Sequence, residues 1–499
     1  MKPAAIYARV SSERQKTDGT IQSQVAALRE RAQSEGYAVL DEWIFPHSNE
    51  FGGGTKLTLA NFMAVRHFVL GNANPYQGSA MTQPIGHEIL RRNRTICISF
   101  NQDEYLELVK DPQRFRMIVD ETAERHGNLF PAAFQNGYEM KDIRYSKRLN
   151  IWTRRILIED VAYTIRPSFV MPYMTGMVED VEKALFLRKF NVPYWALANC
   201  YGRDAMYWYR LECSLGRFSL VGTTIQDPSL LPRHVVADEK HTWLNGDKVY
   251  CATTVAEGCV LGANIAACAG QEDLEKAYSA FKQEAQILNP DYRPETVNTD
   301  GWLPTRNAWK ALFPGITLLM CLLHVFISIR DRSSKKYKEA FGAVSEKLWN
   351  CYRAQTKISF SQRVRRLCEW SLKGGIPGFI VDKLEKLRKN LPSFSAAYDF
   401  PGAFRTSNML DRLMQRMDRH LFSAQYYHGT LISANLSIRA WALIHNFAPF
   451  NPRTIKLKNG LESPAETLNG FRYHSSWLQN LLISASLGGY RQGPPNPLE

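Results

Sequence analysis

From residue 231 to residue 330 the apolar residues change period in a way that few folds accommodate. His234-Val235-Val236-Ala237 runs into Asp238, Lys248 to Val255 alternates about Val249-Tyr250-Cys251, and Cys259 to Ala267 resumes after a Glu257-Gly258 turn. Three extended runs joined by turns predict consecutive strands. A helical pattern follows from Leu274 to Leu288, then an extended run that ends at Asp300, a helix from Thr305 to Phe313 and a strand from Ile316 to Met320. Strands that form a meander first and then alternate with helices predict an α/β fold with a mixed sheet covered by helices.

Asp238 and Asp300, 62 residues apart, each close an extended run. Aspartates at strand ends commonly cap or turn the chain, so either alone says little. If the first and fourth strands are neighbours, the two carboxylates share one edge of the sheet. Such a pair suits hard, oxygen-preferring Mg²⁺ or Mn²⁺, and two such ions can drive in-line attack on a phosphodiester. No cage of His and Cys offers zinc a site. A third acid must then come from a helix packed back on the sheet.

The chain's 499 residues suggest about three domains. Its net charge of +14 favours a polyanionic partner, above all nucleic acid. A membrane is disfavoured, because the longest apolar run, Ile316 to Ile329, falls short of the roughly 20 residues of a spanning helix and carries His324. The amino terminus has no apolar stretch fit for a signal peptide, which predicts a cytoplasmic, nucleoid-associated protein. Nine scattered cysteines without a Cys-x-x-Cys pair indicate core thiols rather than disulfides or structural zinc.

Around the sheet-forming stretch, composition divides the chain further. Residues 1–45 read as strand then helix (Ala4 to Val10, Gln22 to Ser34), and Phe51-Gly-Gly-Gly-Thr55 within 46–60 reads as a joint. Residues 61–230 read as mostly helical. Within them 178–215 has a helix-turn-helix pattern broken at Gly202, and Arg203, Tyr207 and Arg210 are candidate DNA contacts. Helix-bundle core is the plainer account of its aromatic residues. Residues 331–403 read as a basic helical insertion: positions 330–390 hold 16 Lys or Arg against six Asp or Glu. With Trp349, Tyr352 and Trp370 interleaved, Arg363, Arg365 and Arg366 are candidates for a DNA backbone track. The last helices of the catalytic unit are expected over 404–450, followed by a tail over 451–499.

Asp238, Asp300, Cys321-Leu322-Leu323-His324, the basic helical insertion and Arg405-Thr406-Ser407-Asn408-Met409-Leu410-Asp411-Arg412 together resemble the acidic-triad transposases, specifically the Mutator-like group and its bacterial insertion-sequence relatives. The resemblance implies a ribonuclease H-like domain interrupted by an all-helical insertion. It implies that Asp238, Asp300 and Asp411 bind two Mg²⁺ or Mn²⁺ ions, with His324 near the scissile phosphate and Cys321 supporting its helix. The implied partners are transposon ends and target DNA, bound by a homo-oligomer. The family's third acid is normally glutamate; here it is Asp411, one methylene shorter, with Asp418 two turns on as the alternative ligand.

The first residues are similar to another family. Ile6-Tyr7-Ala8-Arg9-Val10-Ser11-Ser12-Glu13-Arg14-Gln15 and Thr20-Ile21-Gln22-Ser23-Gln24 resemble the start of a serine recombinase catalytic domain. That resemblance implies Ser11 as nucleophile and Arg9 as phosphate ligand. The family's further arginine segment has no counterpart between 46 and 120, and an isolated hydroxyl is a poor nucleophile. The expectation is a truncated recombinase fragment joined to a transposase. The alternatives are a recombinase acting through Ser11 and a catalytically dead DNA-binding remnant.

Overall fold

The computed structural model describes residues 93–147, 149–333 and 335–491, together with 2–3, 6–10, 26, 29–30, 33, 37–38 and 44–48. The chain divides into two compact units, Met1–Gln83 and Pro84–Glu499. In the first, β1 (Lys2–Pro3) pairs in parallel with β3 (Tyr37–Ala38), and β2 (Ile6–Val10) with β4 (Ile44–Ser48). Ala26, Arg29, Glu30 and Gln33 between them have helical backbone. Parallel pairing requires such a crossover. The Phe51–Thr55 glycine cluster and Ser11 lie outside the described residues.

The larger unit opens with a sheet where helix was expected. β5 (Thr95–Ile98), β6 (Glu139–Ser146), β7 (Ile151–Ile158) and β8 (Val161–Pro167) form four strands in the order β5-β8-β7-β6. The expectation that 61–230 is mostly helical is therefore corrected for 95–98 and 139–167, while Tyr105–Leu108 and Pro112–Arg125 between them are helices. The misleading signal is charge inside strands: Arg154 and Arg155 stand side by side in β7, Arg154 buried and donating to the Val109 carbonyl, Arg155 paired with Asp142 at 2.6 Å. Both arginines find partners, so the strand tolerates them.

The second sheet holds β9 (His234–Leu244), β10 (Asp247–Ala256), β11 (Cys259–Ala266), β12 (Thr296–Thr299) and β13 (Thr317–Met320) in the order β11-β10-β9-β12-β13. β9 to β11 are antiparallel; β12 runs parallel to both β9 and β13. Two-residue turns at Asn245-Gly246 and Glu257-Gly258, all four residues at positive φ, fix the hairpin register.

β9 does not end at Asp238, as the sequence suggests, but continues six residues to Leu244 against β10. The Asn245-Gly246 turn carries the polar Glu239 to Trp243 segment in the ladder. On the other side the parallel pairing with β12 stops at Val236, so Asp238 still lies just past the last parallel partner.

Alternation along β9 separates two cores. Val235 and Ala237 face the Gln271–Leu288 and Leu303–Leu312 helices, where Leu274, Tyr278, Phe281 and Trp309 are buried. Val236 faces the other side, toward the Asn408–Ser423 and Leu431–Phe447 helices. Asp238 shares the face of Val236, and Glu239 that of Ala237.

Helices Lys338–Tyr352, Lys357–Lys373 and Gly378–Lys389 form the insertion and bury their own core around Leu348, Val364, Leu367 and Leu384. The expected C-terminal tail is instead structured through Arg491. Trp477–Ser484 is a helix, and Trp477, Leu478, Leu481 and Leu482 are buried in the main core. No described helix is long and apolar enough to cross a membrane.

Candidate metal centre

The sheet brings the two strand acids side by side. Asn298 pairs with Val236 across the parallel β9–β12 ladder. Two residues beyond that last pair stand Asp238, still in β9, and Asp300, just past the end of β12, close enough for the Asp300 carboxylate to act on Asp238. Beyond β12 the chain turns sharply through Gly301 at φ +93°, and the Asp300 carboxylate accepts the Trp302 backbone N–H at 2.7 Å. The φ of +93° is what calls for glycine here; a Cβ at Gly301 would also meet the flexible end of Met320 at 2.5 Å.

The third acid arrives from the far side of the insertion. After the inserted helices the returning strand of chain is stitched along the ends of β12 and β13: the Asn298 side chain donates to Phe404 O, Leu322 N to Arg405 O and Ser407 N to Cys321 Sγ. Arg405 anchors the same segment to the insertion by donating to Ala354 O, Tyr352 O and the Tyr398 hydroxyl. The Asn408–Ser423 helix starts there, and Asp411 sits in its first turn, where a carboxylate is favoured by the helix dipole.

His324 stands in the first turn of the Leu322–Arg330 helix, which follows β13 directly. One ligand atom from each of Asp238, His324 and Asp411 lies within 4.8 Å of the others. His324 Nε2 is 4.0 Å from Asp238 Oδ2. Asp300 adjoins this trio through Asp238 rather than belonging to it. Asp238 is therefore the carboxylate that feels all three of His324, Asp300 and Asp411.

Charge crowding shows in the titration of the group. Burial pushes the Asp238 carboxyl up to about 6; His324 opposes the rise, and the Asp300 and Asp411 carboxylates add to it. Burial would lower the His324 pKa, but Cys321 and then Asp238 and Asp411 outweigh it and push it up to about 9. Several carboxylates converging with one imidazole form a donor set, mostly oxygen, that calls for a cation. Asp238, His324 and Asp411 together could hold a divalent cation.

Ser407 was not singled out by sequence, yet it joins the site together. Its buried hydroxyl donates to Asp411 Oδ2 at 3.0 Å and lies 3.2 Å from Cys321 Sγ and 3.4 Å from His324 Nδ1. Cys321, itself buried, holds this hydroxyl at the start of the His324 helix. Glu239 was missed as well. On the opposite face of β9 its Oε1 accepts from the Tyr278 hydroxyl and the Thr305 hydroxyl, each at 2.7 Å. Thr305 belongs to the helix that follows Asp300, so Glu239 ties that helix to the strand of Asp238. Burial raises the Glu239 carboxyl to about 7, against the hydrogen bonds from Thr305 and Tyr278.

The remaining candidates lie elsewhere. Asp418 is an exposed partner of Lys240 at 2.8 Å and leaves the third position to Asp411. Of the helices Val178–Arg188, Tyr194–Tyr201 and Ala205–Leu215, the last carries the exposed Arg210, while Arg203 is exposed in the turn before it at φ +63°. Tyr207 there donates its hydroxyl to Thr175 O at 2.7 Å, which fixes it to the scaffold. Within the insertion Arg363 donates to Asn350 and so braces two helices, Arg365 pairs with Glu369 at 3.7 Å, and Arg366 is exposed. Arg9 lies in β2, and its side chain falls outside the described residues, as does Ser11. Comparison with protein-family models and with curated proteins finds no match for this chain.

Proposed function

We propose that the protein is a DNA transposase whose ribonuclease H-like catalytic unit cleaves and joins DNA strands through Asp238, Asp300 and Asp411 with Mg²⁺ or Mn²⁺. The observation that carries the reading is the register of β9 and β12, which sets two carboxylates abreast while a helix beyond the insertion delivers Asp411 to the same Asp238. Held by Asp238, Asp300 and Asp411, divalent ions would supply an activated water or 3′-hydroxyl and would stabilise the leaving oxygen of an in-line displacement. Asp238 bridges the two halves of the centre, and Ser407 orients Asp411. His324 places its Nε2 4.0 Å from Asp238 Oδ2, where a neutral ring would add a nitrogen ligand beside the carboxylates and a protonated one would instead donate to a phosphate oxygen. The basic surfaces supply DNA affinity apart from the chemistry, and a homo-oligomer would bring two transposon ends together.

The test is cleavage of DNA carrying the ends of the element that encodes the chain, with Mg²⁺ and with EDTA. Cleavage that leaves 3′-hydroxyls, depends on metal and disappears in Asp238→Ala, Asp300→Ala and Asp411→Ala while DNA retention persists is the expected result. A metal-free covalent adduct at Ser11 would overturn it in favour of the recombinase reading. Retention without any cleavage by the parent protein would overturn it in favour of a DNA-binding remnant.

A further inference from the structure

The Asn408–Ser423 helix carries a second chemical face beside its acids. Arg412, Arg416 and Arg419 follow one another at spacings of four and three, which stacks them in one stripe. At roughly 100° per residue this stripe is turned about a third of a circle from the face of Asp411 and Asp418. Two adjoining cavities, of about 330 and 470 Å³, open along it and share Arg416, His445 and Phe450. Lys458 lines the first and Lys189 the second, and Glu257 is the one carboxylate among the residues lining either.

The cations are not neutralised from within. Among the described residues no carboxylate lies within ion-pair distance of Arg412, Arg416 or Arg419. Lys189 donates to the Ala448 and Pro449 carbonyls at 2.6 Å, which occupies two of its three hydrogens and leaves its charge unneutralised. His445 is buried and neutral. With Nε2 on the Gly258 carbonyl, its Nδ1 is left to accept from Arg416 at 3.5 Å. Like charges gathered in a concave surface raise the local potential for an anion.

The walls also hold exposed aromatic surface. Phe190 lines the second cavity and is 61% exposed, and Phe450 lies between the two under the Lys189 ammonium at 5.6 Å. Each cavity has the volume of a small-molecule site, too narrow for a duplex. A cationic groove with aromatic faces is how proteins track a single strand, the phosphates on the cations and a base on a ring. An acidic or phosphorylated peptide has no base to stack and leaves the exposed Phe190 unexplained.

We propose that this cleft binds the phosphodiester backbone of a single nucleic-acid strand, along Arg412, Arg416 and Arg419, with a base stacked on Phe190. Asn408 and Met409, in the turn that carries Asp411, line the first cavity, so a strand in the cleft leads toward the acidic centre. Identifying that strand as a transposon end rests on the transposase reading; the binding itself does not.

Fluorescence anisotropy with a labelled 20-nucleotide oligothymidylate and a duplex of equal length tests this on the full chain. EDTA throughout removes any contribution of bound metal, so failure of the catalytic reading leaves the result unaffected. Arg412→Gln/Arg419→Gln is expected to weaken strand binding about tenfold or more. It should also flatten the slope of log K against log salt by about 1.4, or about 0.7 per lost phosphate contact. Phe190→Ala is expected to weaken strand binding roughly fivefold or more while duplex binding holds. Circular dichroism verifies the fold, and Lys458→Gln, at an exposed position, repeats the slope measurement if the double variant unfolds. Parent-like affinity and slope in the folded Arg variants would overturn the proposal. So would loss of strand binding only on Arg203→Gln/Arg210→Gln, which would move the site to that surface.

Discussion

Ser407→Ala removes a single oxygen that no sequence pattern marks as essential. The lost hydroxyl donates to Asp411 Oδ2 at 3.0 Å, at a site only 1% exposed, so water does not readily replace it. A hydrogen bond to an ionised group contributes about 1.5–3 kcal/mol. If Asp411 is a metal ligand, that is also the energy which keeps its carboxylate aimed at Asp238. Loss of such a supporting bond lowers metal affinity by about 10–100-fold, consistent with 1.4 kcal/mol per factor of ten. The backbone N–H of Ser407 still reaches Cys321 Sγ, so the helix start survives. Titration calorimetry with Mn²⁺ on the parent and the variant reads the difference directly, with the thermal midpoint as a check on folding. An Mn²⁺ affinity within twofold of the parent in a folded variant would refute the role of Ser407 and, with it, the assignment of Asp411.

Three further outcomes are expected. Glu239→Ala strips the acceptor from two buried hydroxyls and should lower unfolding stability by about 2–4 kcal/mol in urea titrations; an unchanged midpoint would show that the clamp between β9 and the helix after Asp300 is dispensable. Gly301→Ala places a Cβ 2.5 Å from Met320 Cε at φ +93° and should cost roughly 1–2 kcal/mol and weaken metal binding by displacing Asp300; parent-like binding would count against Asp300 as a ligand. Burial lowers the His420 pKa from 6.5 to about 4, so its neutral form is the folded one, and its contribution is intact above pH 6.5 and lost as pH falls toward 4. Because the raised carboxyls of Asp238 and Glu239 act with the opposite sign in that window, the comparison is between the parent and His420→Asn. The parent should lose roughly 2 kcal/mol relative to the variant between pH 7 and pH 5, and parallel pH profiles would contradict it.

The part of the fold that local chemistry dictates is the part the sequence conveys. Asn245-Gly246 and Glu257-Gly258 specify tight hairpins wherever they stand, and so the meander is readable before any contact is known. The strands of the first sheet are not, because Arg154 and Arg155 look like a helix surface until Val109 and Asp142 are found opposite them, 45 and 13 residues away. The same holds for residues 451–491. Trp477 and Leu481 reach a core assembled from much earlier segments, and without that core their helix reads as part of a tail.

Within the candidate site the acids were legible because each ends or follows an extended run or falls in a recognisable motif. Their geometry was conditional on strand order, which spacing does not determine. Ser407 and Glu239 carry no such mark. Their roles arise from contacts to Cys321 and Thr305, 86 and 66 residues away, and only the Cys321-x-x-His324 and Thr406-Ser407-Asn408 strings hinted at the first.

The central claim is that Asp238 unites two half-sites for divalent metal. Anomalous diffraction from crystals grown with Mn²⁺ tests it most directly. A peak within about 2.0–2.2 Å of carboxylate oxygens of both Asp238 and Asp411, with a second between Asp238 and Asp300, is the expected result. Anomalous density elsewhere, with His324 still facing Asp238 and no peak between the carboxylates at saturating Mn²⁺, would contradict it.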